Sequence, residues 1–113
     1  MNDRELLEAA AKAAGLNSHR YCEAWNSMNR YTTQDGYFGP NWNPLTDDGD
    51  ALRLSVKLGL DVSHNSFGNV IADHHTLPRR KTIVMAYGAD PCEATRRAIT
   101  LAAAAMAGGM AVG

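Results

Sequence analysis

Cysteine is scarce in this sequence. Cys22 and Cys92 stand far apart and neither belongs to a CxxC pair, which excludes a disulfide framework and a thiolate zinc knuckle. An excess of positive charge is missing too. Eleven Lys and Arg face twelve Asp and Glu, a formal charge of −1, so the chain lacks the broad positive field on which unspecific phosphate binding depends. No apolar run is long enough to cross a bilayer: Ala98 to Val112 is mostly alanine and carries Gly108 and Gly109, short of the roughly 20 strongly apolar residues a span needs. The amino terminus shows no charged stretch leading into an apolar one, so secretion is not expected. The expected setting is soluble and intracellular.

What is present is ordinary globular composition. Of 113 residues, 45% are hydrophobic and 20% charged, enough to build one core in a chain too short to divide into two. A single domain over residues 1–113 is expected. Asn2, followed three residues later by Glu5, is the pair that satisfies free amides at a helix start. Leu6, Leu7, Ala10, Ala13 and Ala14 then recur at helical spacing until Gly15. His19 to Trp25 reads as a short strand. Asn26 to Pro44 mixes aromatics with Asn, Gly and Pro and predicts an irregular loop, with at most a short strand near Tyr37 and Phe38.

A second helix follows, capped by Thr46 or Asp47 and carrying Ala51, Leu52, Leu54, Val56, Leu58 and Leu60, with Gly59 as its stop. Asp61 to Ser66, Asn69 to His74 and Thr82 to Tyr87 predict three strands in a row. Asp90 as cap, Pro91 at the first helical position and Glu93 three residues after the cap open a last helix that runs to about Ala107. The order α-β-(β)-α-β-β-β-α, with strands in runs, argues for an α+β fold. A small, mostly antiparallel sheet packed by three helices as an α/β/α sandwich is expected.

Two blocks carry a resemblance. Trp42-Asn43-Pro44-Leu45-Thr46-Asp47-Asp48-Gly49-Asp50-Ala51-Leu52-Arg53-Leu54 and Asp90-Pro91-Cys92-Glu93-Ala94-Thr95-Arg96-Arg97-Ala98-Ile99, together with the helix opening at Asn2, resemble the phage ABA sandwich domain family of small phage and prophage proteins. The resemblance implies α/β/α layering and a phage or prophage origin. It brings no catalytic residues.

Several clusters are candidate sites. Asp47, Asp48 and Asp50 lack the alternate spacing of a calcium loop and read as helix-start acids. His64, Asp73 and His74 are the set that would bind a metal or do acid–base work if two strands paired as a hairpin. His75, next to His74, would point to the opposite face. Arg79, Arg80 and Lys81, with Arg96 and Arg97, offer a local basic patch without the aromatic stacking that nucleic-acid modules use. Trp25, Tyr31, Tyr37, Phe38 and Trp42 form an aromatic group that either closes over the core or meets a partner. Cys92 falls in the first turn of the last helix, where the dipole favours a thiolate, but no base accompanies it in sequence.

The reading that gathers these points is a non-enzymatic phage or prophage accessory protein in the bacterial host cytoplasm. It would act by binding a host or phage protein through Tyr31, Tyr37, Phe38 and Trp42. No cofactor is expected, neither nucleic acid nor membrane is an expected partner, and self-association is left open. The alternatives are a metal-binding protein or metal-dependent enzyme using His64, Asp73 and His74, and a nucleic-acid-binding protein using the basic patch.

Overall fold

The computed structural model describes residues 2–16, 19–24, 26–30, 41–74 and 81–112. Helix α1, Asp3–Ala13, opens with a reciprocal cap: the Glu5 N–H donates to Asn2 Oδ1 at 2.8 Å and the Asn2 N–H donates to Glu5 Oε1 at 3.1 Å. Helix α2, Asp48–Leu58, starts at Asp47, whose Oδ2 accepts the Asp50 N–H at 2.8 Å. Both helices end alike. Gly15 and Gly59 take φ of 77° and 66°, and the next amides, Leu16 and Leu60, reach back to Ala11 and Ser55 carbonyls at 2.9 Å. A β-carbon at either glycine would strain that left-handed turn.

Helix α3, Pro91–Val112, begins where the sequence placed it, with Asp90 Oδ1 accepting the Cys92 and Glu93 amides. It runs on through Gly108 and Gly109, where the sequence predicted its end. Glycine costs a helix about 1 kcal/mol each, but unlike proline it keeps its N–H, so the ladder is not cut. Among the described residues no helix is long and apolar enough to cross a membrane.

The element order of an α+β fold is as expected: α1, β1 (His19–Cys22), β2 (Ser27–Arg30), β3 (Asn41–Trp42), α2, β4 (Asp61–His64), β5 (Asn69–His74), β6 (Lys81–Ala86), α3. The strands divide between two three-stranded antiparallel sheets, β1-β2-β3 and β4-β5-β6. β2 lies where an irregular loop was predicted. Its residues, Ser-Met-Asn-Arg, have little strand propensity of their own; pairing supplies the order, Tyr21 facing Met28 and Met28 facing Trp42. The expected strand near Tyr37 and Phe38 lies outside the described residues.

α3 joins the two halves. Ala94, Ala98 and Ala102 share one stripe and pack against Val70 and Ala72, with Val62, Ile83 and Met85 alongside. Ile99, Ala103 and Ala104 turn to another side, into a cluster with Leu6, Leu7, Met28, Trp42 and Leu54. α1 packs on the first sheet, α3 on the second, and the two helices on each other; Val84, on the face of β4-β5-β6 turned away from α3, is 59% exposed. The strands form two small antiparallel sheets where one was expected. Alanine on both faces of α3 allows close approach on two sides, which a bulkier helix would not.

Candidate functional site

The block Trp42 to Leu54 folds as a clasp around its own acids. Asp50 is buried; its Oδ2 accepts the Asn43 N–H at 2.9 Å and its Oδ1 takes Arg53 at 2.7 Å. Asp47 caps α2, and Asp48 receives Arg96 Nη1 from α3 at 2.7 Å. Arg96 also donates Nε to the Leu45 carbonyl at 2.9 Å. The bond to Asp48 is the main reason the Arg96 guanidinium holds its proton more tightly than usual, against the opposing pull of burial. The two sequence blocks that stand out are therefore fastened to each other, and each of the three carboxylates has a protein partner.

A cleft of about 310 Å³ opens beside this clasp, between α2, α3 and β4. Ala51, Leu52, Val62 and Ile99 form its apolar walls, and His64, Cys92 and Arg96 also line it. His64 is held by the Tyr87 hydroxyl, 2.6 Å from Nδ1. Leu52 and Val56, one turn apart, are 63% and 62% exposed, so an apolar ridge on α2 borders the cleft. Phe67, at the β4–β5 turn, is 85% exposed.

The histidine set is not brought together. In the β4–β5 hairpin His64 stands opposite Val70 and Asp73 opposite Asp61, three positions apart, or about 10 Å. Strand alternation also separates faces: His74 shares the side of Val70 and Ala72, whereas Asp73 lies on the other, where it accepts from the Thr82 hydroxyl. His64 is exposed while Asp73 and His74 are buried. Among the described residues no three His, Cys, Asp or Glu side chains converge on one point.

The other candidates fare unevenly. Trp42, read from sequence as either a lid on the core or a partner contact, has no exposed area and sits in the main core, because β3 turns Asn41 outward and Trp42 inward. Trp25, Tyr31, Tyr37 and Phe38 lie outside the described residues, as do His75, Arg79 and Arg80. Lys81 opens β6 opposite His74. Arg96 and Arg97, assigned to a basic patch, are instead tied to Asp48 and to Asp3, the latter at 3.0 Å. The α2 ridge was missed, though a signal existed. Leu52, Leu54, Val56 and Leu58 alternate, and alternate helix positions point about 200° apart, so all four cannot face one core. Comparison with protein-family models, curated proteins and solved structures finds no match to this chain.

Proposed function

We propose that this chain is a non-enzymatic phage or prophage accessory protein, acting in the bacterial host cytoplasm by binding another protein through the α2 ridge and the cleft beside it. The supporting observation is the pair Leu52 and Val56, exposed on one helix face next to an apolar cleft walled by Leu52, Ala51, Val62 and Ile99. Water-exposed aliphatic side chains beside a concave apolar wall suit an apolar side chain of a partner. The phage origin rests on the resemblance of the two blocks fastened by Arg96. The metal and nucleic-acid readings have less support, since Asp73 lies across the sheet from His74 and Arg96 and Arg97 are engaged by acids.

Affinity capture from lysogenic or infected cells at native salt tests the reading, with Leu52→Lys as the comparison. That change keeps helix propensity and, at an exposed position, is expected to alter stability by no more than about 0.5 kcal/mol. The wild-type chain should retain a specific protein that Leu52→Lys loses. Equal capture by both would remove the α2 ridge from the interface, and no capture by either would overturn protein binding.

A further inference from the structure

Among the described residues, β6 is an edge strand of the second sheet. β6 pairs with β5 through Lys81↔His74, Ile83↔Ala72 and Met85↔Val70, and just past the strand the Tyr87 N–H donates to the Gly68 carbonyl at 2.9 Å. Hydrogen-bonded pairs alternate along an antiparallel ladder, so this bond fixes the phase. Ile83 and Met85 turn their N–H and C=O groups toward β5; Thr82, Val84 and Ala86 turn theirs away. Among the described residues no strand lies on that side, and all three outward-turned residues are exposed. Edges are commonly guarded by charge, proline or a bulge. From Thr82 to Ala86 there is no charged residue and no proline, and the pairing with β5 is unbroken.

We propose that β6 is a self-association edge, which pairs antiparallel with β6 of a second copy about a two-fold axis at Val84 to form one six-stranded sheet. In that register Val84 faces Val84 of the second copy and Thr82 faces Ala86. All are outward-turned positions, so every free N–H and C=O from Thr82 to Ala86 finds a partner. Facing residues lie on the same side of a sheet, which sets Ile83 against Met85 on the helix-covered side and the exposed valines together on the other. A single patch thus complements itself, as a two-fold interface requires. β4, the opposite edge, is shorter and carries Asp61 and His64.

Sedimentation equilibrium of the full chain over a wide concentration range should show a reversible dimer. Val84→Pro deletes the N–H at the axis from both copies while sparing the β5 ladder, since proline is tolerated where the N–H faces outward. Its dissociation constant should rise about tenfold or more with an unchanged circular dichroism spectrum. Should the proline unfold the chain, Val84→Lys, which places two ammonium groups face to face at the axis, must weaken the dimer instead. Amide exchange reads the register directly: Ile83 and Met85 should be protected at all concentrations, Thr82, Val84 and Ala86 only when dimer forms. A wild-type chain that stays monomeric, a dimer indifferent to a folded Val84 variant, or edge amides protected in dilute monomer would each overturn the proposal.

Discussion

At the scale of single residues, three neighbouring acids have three different tasks. Asp47 caps α2, Asp48 reaches α3, and Asp50 is buried among donors from Asn43 and Arg53. Arg96 is the cation that makes the long-range link, bonding Leu45 and Asp48. Arg96→Ala leaves the Leu45 carbonyl without its donor and is expected to cost about 1–3 kcal/mol, seen as a lower urea midpoint at unchanged slope. Arg96→Lys should recover only part of it, because an ammonium cannot reproduce the planar geometry that serves a carbonyl and a carboxylate together. These acids were legible in sequence as helix-start residues. Their individual partners were not, since Asn43 and Arg96 lie seven and 48 positions from the acids they meet.

Among elements, α3 has the narrowest tolerance. Ala98 and Ala102 have no exposed area and meet Val70 and Ala72, which have none either. Ala98→Leu inserts methylenes where neither backbone can retreat and should destabilise by about 1–3 kcal/mol, whereas an added apolar group on a helix with slack would stabilise. Thermal unfolding followed by circular dichroism distinguishes the two signs. All three helix starts could be read from sequence because caps act within three or four residues. β2 could not, for its order comes from pairing on both sides with β1 and β3. The histidine set failed for a related reason. Sequence offered a hairpin, but register and face, which separate Asp73 from His64 and His74, are set by the core that the strands cover.

For the whole molecule, α3 belongs to both apolar clusters, one with α1, α2 and the first sheet and one with the second sheet. Neither cluster can lose α3 and remain closed, so urea unfolding is expected to be one step, with far-ultraviolet dichroism and tryptophan fluorescence tracing coincident transitions. Separate midpoints would show that the halves fold apart. The amino-acid order alone determined the α+β class, the alternation of helices with runs of strands and the helix caps, because those follow from short-range hydrogen bonding and from the period of apolar residues. Only the tertiary structure decided that the strands form two sheets whose cores share α3. The same packing buried Trp42 and left Leu52, Val56 and Val84 in water. These outcomes depend on which apolar faces close against one another, a choice made among segments distant in the chain, where local spacing carries no instruction.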